Sequence, residues 1–399
     1  MTIFLLVNGL NGGSTDPDHP GWFELSSANM GVGVGVSNGV IGAPSFSEIS
    51  VTMEGVAPAL LAQLAKATDL GSVRIQQVDS AGDKLYDLLL DYVFVTGNYL
   101  SMGDGAPSSS LSFAYKLFNL ATPDGSFGYD LANQMASFSD TIPEPEPGSG
   151  PRTLESGEVT RYYLLIDGAN GGSTNPGGNS KGWFKIESLQ FGAGVGVDPN
   201  GVTTEPSFSE VVVTMAGVDP TLFGDLATGR LIDAARVQGV NALGQVIYDL
   251  RLGDVVLSGN ALSTGGGPPS SSLSLNYQQI GLTTPTSEFG YDLANQTAIP
   301  PNTIPYPVPA DTSSLESGGV SRYYLLIDGL NGGSTDPGHQ GWFEIHRSSN
   351  LAQVSVSARV ASQAHPRSRK LSSRWSASRP VCSVTWPLAG LSTRPACRA

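Results

Sequence analysis

The sequence predicts a mainly β protein made of tandem antiparallel β-barrel or sandwich units, each carrying one short α-helix. Three observations predict it. A unit of about 160 residues recurs along the chain, and apolar residues alternate with polar ones at period two. Turn formers are frequent, with 50 Gly and 27 Pro, while only 14% of residues are charged.

The recurrence is direct. Leu5 to Gly9, Asn11 to Thr15 and Gly21-Trp22-Phe23 return as Leu164 to Gly168, Asn170 to Thr174 and Gly182-Trp183-Phe184, and again as Leu325 to Gly329, Asn331 to Thr335 and Gly341-Trp342-Phe343. The first two copies also share Pro-Ser-Phe-Ser-Glu at 44–48 and 206–210, and Phe-Gly-Tyr-Asp-Leu-Ala-Asn-Gln at 127–134 and 289–296. The expected division is unit 1 over 1–135, a linker over 136–160, unit 2 over 161–297, a second linker over 298–321, and the start of unit 3 over 322–346. Both linkers are proline-spaced, Ile142 to Pro147 and Ile304 to Pro309, which predicts extended, semi-rigid spacers that hold the units apart.

Within unit 2, Val246, Tyr248, Leu250 and Leu252 alternate with Ile247, Asp249, Arg251 and Gly253, and Leu273, Leu275 and Tyr277 alternate with Ser274 and Asn276. Such segments are half-buried strands. One segment departs from period two. Asp219, Pro220 and Gly229 bracket Leu222, Phe223 and Leu226 as an N-cap, a first-turn proline and a terminal glycine, so a helix is expected there, with Pro58 to Ala67 as its counterpart. The run Gly31 to Gly35 alternates Gly with Val and lacks the strand-loop-helix setting of a phosphate cradle. It reads as a strand that lets another backbone come close.

Charge excludes some partners. Residues 347–399 hold nine of the 21 Lys and Arg and no acid, so the remaining chain carries 12 basic against 35 acidic groups, a net of −23. Such a body repels nucleic acid and anionic membranes. No run approaches the roughly 18 apolar residues of a membrane-spanning helix, and the opening residues lack the basic n-region of a signal peptide. Both cysteines, Cys382 and Cys397, lie in the basic tail, so the units need no disulfide or thiolate site.

Candidate chemistry is sparse. Of four histidines only His19 and His339 occupy equivalent places, and they read as loop residues. The Asn-Gly-Gly-Ser-Thr loops offer Asp16, Asp18 and Asp336 as hard-cation ligands, yet the second copy has Asn175 with no acid beside it, so turn chemistry is the better reading. The Gly-Trp-Phe aromatics read as core anchors. No acid/base pair recurs, so no enzyme and no cofactor is expected.

The order of these pieces resembles the Hcp family of type VI secretion: an opening Tyr-Leu-Leu-Ile-Asp-Gly strand, a Gly-x-Ser loop, Ser-Phe-Ser-Glu-Val-Val-Val, an Asp-Pro-x-Leu helix, and above all Val256-Leu-Ser-x-x-x-Leu-Ser-Thr-Gly-Gly266. The matching positions are Gly12, Ser14, His19, Trp22, Gly172, Ser173, Trp183, Ser263, Thr264, Gly265, Gly266, Tyr291 and Asp292. The resemblance implies a small barrel flanked by a helix, assembling with copies of itself into hexameric rings that stack into a secreted tube. It also implies spike, sheath or effector proteins as partners, and a cytoplasmic protein exported without a cleaved signal peptide. Three features depart from the family: unit 2 has no histidine after its loop, Pro107-Ser-Ser-Ser and Pro269-Ser-Ser-Ser stand where acidic residues often precede the late strand, and several units share one chain. The alternative is a secreted surface or matrix array binding ligand or calcium.

After Ile345 the third copy stops matching. If the last base of each codon is read with the first two of the next, 365–375 can encode the residues of 206–215, and 381–399 those of 222–239. Each shifted codon admits few residue types, so a one-base slip between about His346 and Gln353 is the economical explanation of the basic tail. Sequencing the gene across codons 340–399 should find one base whose removal or insertion restores a third copy of 206–239. If no single-base change does so, the tail is genuine.

Overall fold

The computed structural model describes residues 1–37, 40–103, 105–136, 142–174, 181–198, 201–265, 267–318 and 322–345. The tail over 347–399 lies outside them. Unit 1 comprises β1 (Thr2–Val7), β2 (Phe23–Leu25), β3 (Ser27–Asn29), β4 (Val32–Ser37), β5 (Val40–Phe46), β6 (Ile49–Glu54), α1 (Pro58–Ala65), β7 (Val73–Val78), β8 (Lys84–Asp91), β9 (Phe94–Met102), β10 (Ser108–Ala114), β11 (Leu117–Thr122), β12 (Gly125–Asp130) and β13 (Met135–Ala136). Unit 2 repeats them as β14 (Arg161–Ile166), β15 (Ser173–Thr174), β16 (Lys181–Gly194), β17 (Ser207–Phe208), β18 (Val211–Ala216), α2 (Pro220–Thr228), β19 (Ile232–Val240), β20 (Val246–Gly265), β21 (Gly267–Asn276), β22 (Gln279–Thr283), β23 (Glu288–Asp292) and β24 (Thr297–Ala298). The protein is mainly β, as expected.

Unit 2 is a closed barrel. Strand β14 pairs β16, β16 pairs β18, β18 pairs β21, β21 pairs β20, β20 pairs β19, and β19 returns to β14, every pairing antiparallel. Two long strands, β16 and β20, bend to serve both walls. In unit 1 the same paths are broken into β2 with β3 and β8 with β9. The break after β8 falls at Tyr92, whose φ of 52° matches the 51° of Asp254 within β20. Closure leaves few bare edges and seals Leu5, Phe23, Met53, Ile75 and Phe113 inside unit 1 and Leu164, Phe184, Met215, Leu250 and Leu275 inside unit 2.

The predicted helices form. In α2 the buried Asp219 accepts from Thr221 N at 2.8 Å, Pro220 opens the first turn, and Gly229 closes it left-handed at φ 62°. Helix α1 starts at Ala57 without a side-chain cap and is held instead by burial of Leu60, Leu61 and Leu64.

The proline tracts correct one expectation. They are extended, but they do not hold the units apart. The first lies along unit 1 as a strap: Gly9 N donates to Glu146 O at 2.9 Å, Gly148 N to Leu10 O at 3.1 Å, and Val56 and Glu155 exchange backbone bonds. The second repeats this course on unit 2, with Gly168 N donating to Val308 O at 2.8 Å and Val218 exchanging bonds with Glu316. Leu154 and Ile304 are buried beneath the two straps. Apolar residues between the prolines make adhesion to the barrel more favourable than a solvated spacer.

The third copy contributes β25 (Tyr323–Leu325) paired with β26 (Phe343–Ile345), the counterparts of the first strands of each barrel. Its Leu326, Ile327 and Leu330 are exposed. No helix among the described residues is long and apolar enough to cross a membrane.

The Asp219 carboxylate also accepts from Thr221 Oγ1 at 2.6 Å and Ser314 Oγ at 2.7 Å, tying α2 to the second strap. Asp219→Ala should therefore cost about 1–2 kcal/mol of stability, more than Ser314→Ala, in urea unfolding of the whole chain. Equal costs would mean that the cap contributes nothing beyond the strap contact.

Candidate functional site

The structural feature with most functional meaning is the joint between units. Strand β9 of unit 1 pairs antiparallel with β16 of unit 2 over six positions, from Met102 opposite Leu189 to Gly97 opposite Gly194. Past the strand end, Val195 N donates to Thr96 O at 3.0 Å, and Tyr99 Oη donates to Gln190 Oε1 at 2.9 Å across the pair. A glycine is needed on β16 here. A Cβ on Gly192 would lie 3.1 Å from the Tyr99 ring.

Side chains seal the joint. Leu100, Met102, Leu61 and Ala65 of unit 1 belong to the core of unit 2, beside Leu189, Phe191 and Phe289, while Val195 of unit 2 lies in the core of unit 1. Helix α1 rests on β16 and β23. Tyr248 Oη donates to Glu155 O at 2.6 Å, so the first strap touches both barrels. The units form one continuous sheet rather than separate beads, because an unpaired edge strand and a buried Leu both favour cover.

The sequence-predicted positions fall in three places rather than one. The first is the opening loop. A Cβ on Gly12 would sit 2.5 Å from Phe23, Ser14 N donates to Trp22 O at 2.9 Å, and Ser14 Oγ donates to Glu24 at 3.2 Å. His19 lies in this loop as expected, but it is buried. Its ring stacks on Phe4 at 4.1 Å and meets Trp22 edge-on at 5.0 Å. Nδ1 is 2.9 Å from Asp16 Oδ1 and Nε2 is 3.0 Å from Gln76 Oε1. The third copy rebuilds this slot, with His339 on Tyr324 at 4.1 Å and 3.0 Å from Asp336. In unit 2, Gly172 turns at φ 73°, Ser173 pairs with Trp183, and Trp183 is buried.

The second place is the far end of β20, where Ser263 is exposed and Thr264 and Gly265 continue the strand; Gly266 lies outside the described residues. The third is the closing turn. Tyr291 packs on Phe208 at 5.4 Å, and Asp292 accepts from Asn295 N at 2.9 Å and from Asn295 Nδ2 at 3.0 Å. The Asn295 side-chain bond, helped by its amide and opposed by burial, holds the Asp292 carboxyl below its ordinary value.

None of the three makes a catalytic arrangement. Asp16 is engaged in a turn, accepting from Asp18 N at 3.0 Å and His19 N at 3.1 Å, and no metal-binding group of His, Cys, Asp and Glu occurs among the described residues. One repeated pair escaped sequence reading. Arg74 grips Asp87 with two bonds, and Arg236 grips Asp249 likewise at 2.6 and 2.7 Å. Gln76 Nε2 donates to Asp87 at 2.7 Å and so links this pair to His19. The signal was available, since Arg and Asp recur at matching positions of both copies on neighbouring strands.

These observations define a tandem β-barrel protein whose units join edge to edge. Residues 4–121, within unit 1, match the family described as type VI secretion system effector, Hcp. The family match thus lies on unit 1, and unit 2 repeats the sequence of that unit. Among solved structures it is similar to Hcp1 from Salmonella typhimurium, at 17% identity and TM-score 0.31, covering 35% of this chain and 98% of that one. A type VI secretion system effector from Yersinia pestis matches at 15% identity and TM-score 0.28, covering 33% and 98%. Hcp3 from Pseudomonas aeruginosa matches at 18% identity and TM-score 0.24, covering 33% and 97%. A search of curated proteins finds no match.

The hydrogen bond from His19, with backbone bonds assisting and burial opposing, holds Asp16 below the ordinary carboxylate value of 3.8. Its folded value is depressed, so its contribution is present above that ordinary value and is lost as pH falls through the folded one. Asp16→Asn should therefore lower the melting temperature at about pH 6 and match the unmodified chain near pH 2. A difference that stays constant across this range would show that ionised Asp16 does not support the loop.

Proposed function

We propose that this chain is a non-enzymatic structural or carrier protein of type VI secretion that assembles with copies of itself through its barrel units. The joint carries the reading. Two units of one chain bury leucines and phenylalanines in each other's cores and share a sheet, which is the behaviour of a building block rather than of a solitary binding domain. The family described for unit 1 supplies the secretion context. The signature residues at the opening loop and closing turn then act as structural parts that hold the first strand, the loop and the last hairpin in register. Spike, sheath or effector proteins of that machinery are the proposed partners. In this reading the chain is cytoplasmic until export.

Export tests this reading. Tagged full-length chain expressed in a bacterium with a working type VI apparatus should accumulate in the medium. It should stay in the cells when the contractile sheath is disabled, with a cytoplasmic marker controlling for lysis. Release that is indifferent to the sheath would overturn the proposal. A calcium-dependent rise in melting temperature would instead favour a surface array.

A further inference from the structure

The proline straps mark a receptor as well as a tether. Four consecutive residues of each opening loop hold the strap, and they hold it by its backbone. On unit 1, Glu146 N donates to Asn8 Oδ1 at 3.2 Å, Gly9 N to Glu146 O at 2.9 Å, Gly148 N to Leu10 O at 3.1 Å, and Asn11 Nδ2 to Gly150 O at 2.9 Å. On unit 2, Val308 N donates to Asp167 Oδ1 at 2.9 Å, Gly168 N to Val308 O at 2.8 Å, Ala310 N to Ala169 O at 3.2 Å, and Asn170 Nδ2 to Ala310 O at 2.6 Å. The strap side chains at these positions differ, Glu146 against Val308 and Gly148 against Ala310, so the loop does not select them. What the straps share is Pro-x-Pro followed by a small residue, at 145–148 and 307–310. The second proline rests on the glycine of the Gly-Trp-Phe segment: a Cβ on Gly21 would lie 3.3 Å from Pro147, and one on Gly182 would meet Pro309. Prolines on both sides of x fix the backbone in an extended course before it docks.

The third copy has the same loop and no strap. Gly329 turns at φ 75°, as Gly9 does at 75° and Gly168 at 73°. Leu330 N donates to Ile327 O at 3.1 Å, Gly332 N to Gly341 O at 2.6 Å, and Gly333 N to Asn331 Oδ1 at 2.9 Å, each the counterpart of a bond in unit 1. Among the described residues, no segment bonds to Gly329 N, Leu330 O or Asn331 Nδ2, and only Asn331 comes within 4 Å of a Cβ on Gly341. Leu330 is 57% exposed, and Asn331 is exposed where Asn170 is buried. The loop is thus shaped in advance of any occupant, which spares the ordering cost of binding.

We infer that the opening loop of the third copy, Asp328 to Asn331 together with Gly341, is a docking site for an extended Pro-x-Pro-small segment of another protein. Asp328 takes the amide of x, Gly329 N donates to the carbonyl of x, Leu330 O takes the amide of the small residue, and the second proline lies on Gly341. The chain's own sequence argues for an outside partner. Its two Pro-x-Pro-small segments are already pinned to units 1 and 2, with Ile142, Leu154 and Ile304 buried beside them. The prolines beyond residue 346 stand singly, at 366, 380, 387 and 395. The site goes beyond the assembly proposed above and does not depend on it.

The probe is a fluorescent peptide with the sequence of residues 304–312, titrated into the full chain and followed by anisotropy. It should bind saturably at one site per chain. N-methylation of the peptide's Ala310 amide removes the hydrogen offered to Leu330 O and should abolish binding. Asn331→Asp keeps the acceptor for Gly333 N but loses the donor, and should weaken binding about fivefold, the share of one hydrogen bond. A photoreactive residue in place of the peptide's Tyr306 should label the third copy within 323–345. Labelling of 5–11 or 164–170 would show that the peptide displaces a strap, and would overturn the assignment. Binding indifferent to N-methylation, or no saturable binding, would overturn it as well. A chain-to-chain complex that the peptide dissolves would give the loop to a strap of a second copy and overturn the outside partner.

Discussion

Everything distinctive in this molecule depends on one contact, the pairing of the β9 edge of unit 1 with β16 of unit 2. Strand β9 carries Leu100 and Met102 on the face that closure of its own barrel leaves uncovered, together with a row of unpaired backbone groups. Antiparallel pairing with β16 satisfies both at once: it supplies backbone partners and brings Phe191 and Leu189 over the leucine. The remainder adapts to that contact. Glycine at 192 removes a Cβ that would lie 3.1 Å from the Tyr99 ring. Helix α1 needs no side-chain cap because the second barrel lies against it, whereas α2, without such cover, carries Asp219 and Gly229.

The straps serve the same contact from outside. A linker that floated free would let the units separate. Instead each proline tract is pinned near the Asn-Gly loop at one end and to the residue before the helix at the other. Proline suits this course, since it lowers the entropy of the unfolded chain and so the cost of adopting the extended conformation. Glu155 then serves both barrels, exchanging backbone bonds with Val56 and accepting from Tyr248. The joint and the strap therefore reinforce each other rather than acting as hinge and tether.

Much of the barrel was legible in the sequence because its signals are local. Period-two alternation marked β20 and β21, and the cap, proline and glycine bracketed α2 to within a residue. The Gly-Trp-Phe segments proved to be core aromatics, with Trp183, Phe184 and Phe23 buried. What was illegible depends on distant partners. Leu100 and Leu262 sit in the same local pattern, so nothing beside them tells that one is covered and the other bare. The proline tracts read as extended, which is right, but where an extended chain runs is decided by the surface it meets. His19 read as a loop residue, and only the fold shows the slot between Phe4 and Trp22 that buries it.

The frame slip inferred for the third copy bears on where the bare edge lies, not on whether it exists. An in-frame third unit would bring its own counterpart of β16 onto residues 256–265, as unit 2 does for unit 1, and would cover Leu262. Its own β20 counterpart would then be exposed in turn. Because the donor and acceptor edges are different surfaces, adding units within a chain moves the free pair apart without cancelling it. Only closure, in which the last edge meets the first, removes both. Chains of two or three such units therefore present the same pair of edges, and differ in how many joints are made within one polypeptide. A joint within the chain forms at the high effective concentration set by its strap, so joining units in one polypeptide favours the joint itself.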